Sequence, residues 1–144
     1  MLNEDLRQDH GLPDMVLLDD LSLTPTERKI ISAIEVVRII ITATGIGFGY
    51  ARDYRIFATL IVISLAGITA VESLAIGEIT ARSKNWPAHN PYQIQSAFNN
   101  LASTFTIILL LLMKANDESL AAVVVVVLSF ILMNGCNHLY QVIK

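Results

Sequence analysis

Ionisable side chains occur inside segments of this sequence that are otherwise almost pure hydrocarbon. Glu35 and Arg38 lie three positions apart in "IISAIEVVRIII", so they can pair on one face of a helix. Glu72 lies in "ITAVESLAI", and His138 lies near the end of the chain in "MNGCNHLYQ". A charge near the centre of a bilayer costs at least about 2.5–3.5 kcal/mol, so each of these groups needs a partner, a proton or water. Groups of this kind can bind or transfer protons, or hold a small polar molecule.

Amide side chains accompany the ionisable groups at helical spacing. Asn134, Asn137 and His138 follow the i, i+3, i+4 pattern, which puts them on one helical face. Asn99 and Asn100 lie near the start of another apolar segment. The predicted polar cluster therefore consists of Glu35, Arg38, Glu72, Asn99, Asn100, Asn134, Asn137 and His138. For the amides alone, the simpler alternative is interhelical hydrogen bonding, worth about 0.6 kcal/mol for each bond.

Four long hydrophobic segments must position these side chains. They cover residues 30–50, 56–81, 92–113 and 120–143, and each is close to or above the roughly 20 residues that a membrane-spanning helix needs. Only 16% of the residues are charged, whereas soluble domains average about 25%. We predict an all-α fold, in which residues 30–144 form an antiparallel four-helix transmembrane bundle. Residues 1–29 form a polar N-terminal arm, either a short amphipathic helix on the membrane surface or an acidic tail.

Two of the predicted helices carry recognisable start signals. Thr24 is the predicted N-cap of the first helix, Pro25 takes its first position, and Glu27 completes a capping box. Asn90 and Pro91 play the corresponding roles of cap and first residue in the third helix.

The polar residues converge because consecutive helices alternate in direction. The starts of the first and third helices then lie beside the ends of the second and fourth, and the polar residues fall at these four ends. With a rise of 1.5 Å per residue, Glu35, Glu72 and His138 each lie roughly 8–12 Å inside their own helix end. We therefore predict one polar interior within one leaflet of the membrane.

Lysine and arginine predict the orientation of the chain. The side that holds both termini carries the larger share of these residues: Arg7, Arg28, Lys29, Arg82, Lys84 and Lys144. The opposite side carries Arg52, Arg55 and Lys114. By the positive-inside rule, both termini are predicted to be cytoplasmic.

Other features carry less chemistry. The Gly45–Gly49 pair has GxxxG spacing and predicts close helix packing. Cys136 is the only cysteine, so an intrachain disulfide is excluded. A metal site formed by Glu35, Glu72 and His138 is a weaker alternative, because no second histidine lies at ligand spacing on the same helix. We predict no metal, no cofactor and no catalytic residue.

The stretch "NWPAHNPYQIQSAFNNLA" and the later "NGCNHLYQ" contain a Trp-Pro, a Pro-aromatic-Gln, an Asn-Leu and a histidine near the end of the last helix. This pattern resembles a family of small uncharacterised bacterial and archaeal four-helix integral membrane proteins, over roughly the last 60 residues. The matching positions are Trp86, Pro87, Pro91, Tyr92, Gln93, Asn100, Leu101 and His138. The family has Gly directly before the histidine, where this chain has Asn137. The resemblance implies a four-helix fold and a role for His138, and it carries no activity.

These observations lead to three functional hypotheses. The first is an integral membrane protein that binds or passes a small molecule or protons at the polar cluster. The second is an accessory subunit of a larger membrane complex, and the third is a membrane metal or redox enzyme. The expected partners are the lipid bilayer and a homo-oligomer or larger complex, in a bacterial or archaeal inner or cell membrane. The net charge of −3, with acidic residues concentrated in the arm, gives no basis for nucleic-acid binding.

Overall fold

The computed structural model describes residues 23–84 and 91–143, and regular structure within these ranges is helical throughout. Residues 1–22 of the N-terminal arm, Asn90 and the side chain of His138 lie outside this description. The helices are α1 (Pro25–Tyr50), α2 (Tyr54–Val62), α3 (Ile68–Ala75), α4 (Gly77–Ser83), α5 (Pro91–Leu112) and α6 (Asp117–Ile143). A π-helical turn, Ile63–Gly67, joins α2 to α3. The predicted all-α fold is confirmed.

Four helical segments are long and apolar enough to cross a membrane, as predicted: Pro25–Tyr50, Tyr54–Ala75, Pro91–Leu112 and Asp117–Asn137. The second was expected to continue to residue 81, but it breaks at Ile76, where φ is −132° and ψ is 28°. The Gln93 side-chain amide of α5 donates a hydrogen bond of 3.0 Å to the carbonyl oxygen of Gly77. A Cβ atom at Gly77 would lie 3.1 Å from this amide nitrogen, so the glycine permits the close approach of α5 at the break.

The start of α1 follows the predicted capping pattern. The Thr24 hydroxyl accepts a hydrogen bond of 3.2 Å from the Glu27 amide, and the Glu27 carboxylate accepts one of 2.8 Å from the Thr24 amide. Pro25 is the first helical residue, so the capping box is confirmed and the helix begins five residues before the expected boundary at residue 30. Helix α5 begins at Pro91, as expected, while its predicted cap Asn90 lies outside the described residues.

Helices α1 and α2 form an antiparallel hairpin. A Cβ atom at Gly45 would lie 3.1 Å from Leu60 Cβ, and one at Gly49 would lie 3.0 Å from the Phe57 ring. As the residue number rises along α1 it falls along α2, which is the antiparallel register. The two glycines let the helices approach closely, so the packing role predicted from their spacing is confirmed.

The second span is the central helix of the bundle. Its window of highest hydropathy is 39% buried, compared with 6%, 17% and 17% for the other three spans. Ala58, Val62, Ala66 and Ala70 recur every fourth residue and are at most 2% exposed. In lipid, helices associate through close van der Waals packing of such small side chains.

The apolar core lies towards the α1–α2 and α5–α6 connections. Ile61 of α2, Ile107 of α5 and Leu120, Val124 and Val127 of α6 pack there with the central helix. The buried polar side chains Glu72, Thr80 and Asn100 lie in the other half of the bundle, towards the ends of α1 and α6 that continue to the chain termini.

Candidate functional site

Arg38 is the centre of an ion-pair cluster in the middle of α1. It lies twelve residues before Tyr50, which places it about 18 Å from that end of the helix. Its Nη1 donates to Glu35 Oε1 at 2.5 Å, and its Nη2 donates to Glu72 Oε2 of α3. The side chains of Glu72, Arg38 and Glu35 are 5%, 19% and 44% exposed. We call these three residues the Arg38 cluster.

The break at Ile76 supplies a further donor to this cluster. Thr80 of α4 follows the break, is 3% exposed, and donates its hydroxyl to Glu72 Oε1 at 3.2 Å. Both carboxylate oxygens of Glu72 are therefore hydrogen-bonded, one by a guanidinium and one by a hydroxyl. This satisfies the rule that a buried charge needs both an opposite charge and hydrogen bonds.

The backbone of Arg38 is fixed by the π-helical turn. Ser64, which is fully buried in this turn, donates its hydroxyl to the carbonyl oxygen of Arg38 at 3.0 Å. The Thr42 hydroxyl lies 2.6 Å from Ser64 Oγ and is the donor of that pair, because the Ser64 proton is already used. Single π-helical turns inside α-helices often occur at functional sites. Here the turn supplies Ser64, which binds the backbone of Arg38, the residue that pairs with both carboxylates.

A second ion pair fixes α4 to the start of α1. Arg82 Nη2 donates to Glu27 Oε1 at 2.5 Å, and the two side chains are 31% and 17% exposed. Helix α4 is thus bound at one point to Glu72, through Thr80, and at another to Glu27. Sequence reasoning missed Thr80, Ser64 and Arg82 as contributors. The buried hydroxyl in the apolar "VISLAG" is the signal that could have identified Ser64.

Among the described residues, the Arg38 cluster leaves one charge and one hydrogen-bond donor uncompensated. Two carboxyl groups face a single guanidinium, so the cluster carries a net negative charge when both are ionised. Arg38 Nε is buried and has no hydrogen-bond partner among the described residues. The arrangement can therefore hold a proton on a carboxyl group, or present an N–H donor to the acceptor atom of a small ligand.

Only one of the two predicted amides of α5 is buried. Asn100 is 7% exposed, and Asn99 is exposed. The buried face of α5 contains Ala97 and Ile107 beside Asn100. Thr104 of α5 packs against Gly67, since a Cβ atom at Gly67 would lie 3.3 Å from the Thr104 side chain. A close contact between α5 and the central span thus involves small side chains, and the rotation of α5 leaves Asn99 outside the interior.

The structure does not bring the amides of α6 to the Arg38 cluster. Asn134 and Asn137 are exposed, as is every residue of the segment 131–137. Asn134 lies seven residues after the buried Val127, so it faces the same side of α6, yet no described helix packs against the chain there. The expected polar wall at the end of the fourth helix is therefore absent from the described part of a single chain.

The predicted contact of His138 with Glu72 or Glu35 stays a prediction, because this side chain lies outside the described residues. The same holds for a metal site that includes it. Among the residues that the structure describes, no three His, Cys, Asp or Glu side chains come together as metal ligands would.

Four helices of membrane-spanning length and composition, with an ion pair buried between two of them, define an all-α integral membrane protein. Residues 50–144 match DUF6790, a family of unknown function, and since the match covers most of the chain, the chain belongs to that family. The match begins at the end of α1, so it is longer than the 60-residue resemblance expected from sequence, and it contains Glu72 but not Glu35 or Arg38. No curated protein and no solved structure matches the chain.

Proposed function

We propose that this membrane protein binds protons, or a small polar molecule in their place, at the Arg38 cluster. The observation that carries the proposal is the sharing of the Arg38 guanidinium by Glu35 and Glu72 within the membrane-spanning helices. A net negative charge in hydrocarbon is costly. Because one guanidinium compensates only one of the two carboxylates, the cluster favours binding of a proton or of a ligand that compensates the second charge.

The two carboxyl groups differ in exposure, which indicates the side from which the proposed site is reached. Glu72 is 5% exposed and has both oxygens bound, whereas Glu35 is 44% exposed and accepts one hydrogen bond from Arg38. Glu35 also lies one helical turn closer to the N-terminal end of α1. Glu35 is therefore the proposed entry point, and the buried Arg38–Glu72 pair is the fixed part of the site.

The remaining predicted residues enter the proposal at different places. Asn100 is a buried amide on α5 and supports the polar interior. Asn99, Asn134 and Asn137 belong to it only if a further chain covers them. His138 is proposed as a second proton-binding group, because an imidazole titrates near neutral pH.

Infrared difference spectroscopy over a pH titration, on protein in lipid nanodiscs, tests proton binding. A band from a protonated carboxyl group should change with pH in the parent and change less in Glu35→Gln. Glu118→Gln, at the other end of the bundle, is the matched control and gives the change expected from the loss of one exposed carboxyl group. If Glu35→Gln and the parent give the same titration, the proposal is wrong. Passage of protons is measured separately, with a pH-sensitive dye inside proteoliposomes.

We also propose an orientation with both termini in the cytoplasm, in the cell membrane of a bacterium or archaeon. The Glu27–Arg82 pair supports the view that the basic residues near the start of α1 and those of α4 lie on the same side of the membrane. Arg52, Arg55 and Lys114 belong to the opposite end, so the basic side chains favour the terminal side as the cytoplasmic one.

A second candidate function, as a subunit of a homo-oligomer or larger complex, is favoured by the exposed end of α6. Segment 131–137 combines Asn134 and Asn137 with Gly135, which has open space around it. Asn134 and Asn137 share one face of α6, and amide side chains on one face join transmembrane helices through hydrogen bonds.

Asn137 is exposed within this segment, whereas Cys136 points away from the face that Asn134 and Asn137 share, so the probe is Asn137→Cys in a Cys136→Ser background. Oxidative cross-linking in native membranes should give a disulfide-linked dimer through Asn137→Cys if α6 pairs with its copy. The control carries Ser32→Cys on α1 at similar depth in a Cys136→Ser background. Equal dimer yields from the two proteins would contradict a specific α6 contact.

A further inference from the structure

An apolar groove lies between α2 and α6, at the end of the bundle opposite to the termini. Its volume is 360 Å³, which is within the range of about 300–1,000 Å³ typical of small-molecule sites. Phe57 and Ala58 form one wall, and Ala121 and Val124 form the other. We call it the α2–α6 groove.

The walls of the α2–α6 groove fit a hydrocarbon chain. From Glu118 at its mouth to Val124, the groove follows α6 for six residues, or about 9 Å along the helix axis. The side chains between these points are apolar, and both alanines leave room that a larger residue would fill. A polar ligand would lose its hydrogen bonds to water in such a groove, whereas an alkyl chain loses none.

The mouth of the groove carries a carboxylate without a charged partner. Arg55 Nε donates to Asp117 at 3.1 Å, so Asp117 is already paired. Glu118, the next residue, is exposed and has no ion-pair partner in the described part of the chain. Tyr54 also lines the groove and is 54% exposed, so an aromatic ring lies at the same opening.

The local structure places this carboxylate at the start of α6. Asn116 Oδ1 accepts hydrogen bonds from the amide and the hydroxyl of Ser119, at 3.0 and 2.6 Å, and so caps the start of α6. Glu118 is in the first turn, where the helix dipole favours a negative charge. A carboxylate beside an aromatic ring is a suitable receptor for an ammonium group.

From these observations we infer that the α2–α6 groove binds a membrane lipid that carries an ammonium headgroup, with an alkyl chain between Phe57 and Val124 and the ammonium at Glu118. The charged residues Arg52, Arg55 and Lys114 belong to this end of the bundle and mark the level of the headgroups. The mouth of the groove therefore opens at the headgroups, and its walls extend into the hydrocarbon. The site is separate from the Arg38 cluster and does not depend on the proposed function.

Native mass spectrometry of the full chain tests this inference. The protein is released from micelles that contain equal amounts of phosphatidylethanolamine and phosphatidylglycerol, and the retained lipids are counted. The parent should retain phosphatidylethanolamine in excess. Glu118→Gln should reduce that preference about two- to fivefold, the size expected for one exposed ion pair. Glu118→Asp keeps the charge and should keep most of the preference.

A second pair of variants tests the walls. Ala121→Phe fills the groove and should reduce retention of both lipids, whereas Ala122→Phe, at the next position on the same helix, should not. Glu78→Gln removes an exposed carboxylate from the other end of the bundle and serves as the control for charge. Equal retention of the two lipids by the parent would overturn the inference, and so would an undiminished preference in Glu118→Gln.

Discussion

Arg38 of α1 and Glu72 of α3 form an ion pair between two membrane-spanning helices, and Glu72 is only 5% exposed. Neither charge is tolerable alone in hydrocarbon, because each would lose its water without gaining a partner. Together they join α1 to the central helix, while Thr80 and Ser64 complete the hydrogen bonds around them. The pair is therefore part of both the stability of the fold and its proposed chemistry.

Removal of Arg38 should be strongly destabilising. Arg38→Ala leaves the buried Glu72 carboxylate without its partner, and the loss of one member of a buried pair costs about 3–5 kcal/mol. Arg55→Ala is the matched control, since the Arg55–Asp117 pair is about half exposed and such pairs contribute about 0–1 kcal/mol. Unfolding in mixed micelles of increasing SDS content measures both free energies.

The same measurement separates charge from packing. Arg38→Ala combined with Glu35→Gln and Glu72→Gln removes the unpaired carboxylates, so it should recover part of the lost stability. A single Arg38→Ala variant that unfolds at the same SDS fraction as the parent would place Arg38 in water or among headgroups, contrary to the structure.

Loss of the buried hydroxyl in the π-helical turn should be destabilising as well. Ser64→Ala leaves the Thr42 hydroxyl and the Arg38 carbonyl oxygen without their interhelical partner, at a cost of about 1–3 kcal/mol. Ser129→Ala, on the exposed side of α6, should change the free energy of unfolding little. Similar losses in the two variants would show that the contacts of Ser64 contribute nothing beyond those of a lipid-facing serine.

Much of this architecture follows from local sequence signals. The capping box at Thr24 and the first position of Pro91 depend on residues close in sequence, and hydropathy defines the four spans. The spacing of Glu35 and Arg38 also indicates their pairing. These features need no knowledge of how the helices pack.

Whether a residue of the predicted polar cluster is buried depends on how the helices pack against one another. Asn99 and Asn100 are adjacent and point about 100° apart on a helix. The rotation of α5, set by contact of small side chains, therefore buries only Asn100. Likewise, the stripe through Asn134 faces the same side as Val127, while the position of α6 leaves segment 131–137 uncovered. A pattern within one helix does not determine the tilt of that helix against its neighbours.

The glycines of α1 offer a direct test of the α1–α2 contact. Gly45→Leu should destabilise the protein, because a Cβ atom there would already lie 3.1 Å from Leu60 Cβ. Gly47→Leu is the control, since nothing lies within 4 Å of a Cβ atom at that position. Over-packing of a close contact typically costs about 1–3 kcal/mol, so the two variants should differ by about that amount in SDS unfolding. Equal stability would contradict the close approach of the two helices.

Labelling in intact cells tests the proposed orientation. Asp53 and Asn116 cap α2 and α6, so the cysteines are better placed at their neighbours, as Ala51→Cys and Lys114→Cys in a Cys136→Ser background. A membrane-impermeant thiol reagent should label both from outside the cell, because the terminal side carries more lysine and arginine and is expected to be cytoplasmic. Lys29→Cys, at the start of α1, should be labelled only after the membrane is made permeable. Labelling of residue 29 in intact cells, with protection of residues 51 and 114, would reverse the orientation and place the entry to Glu35 on the outer side.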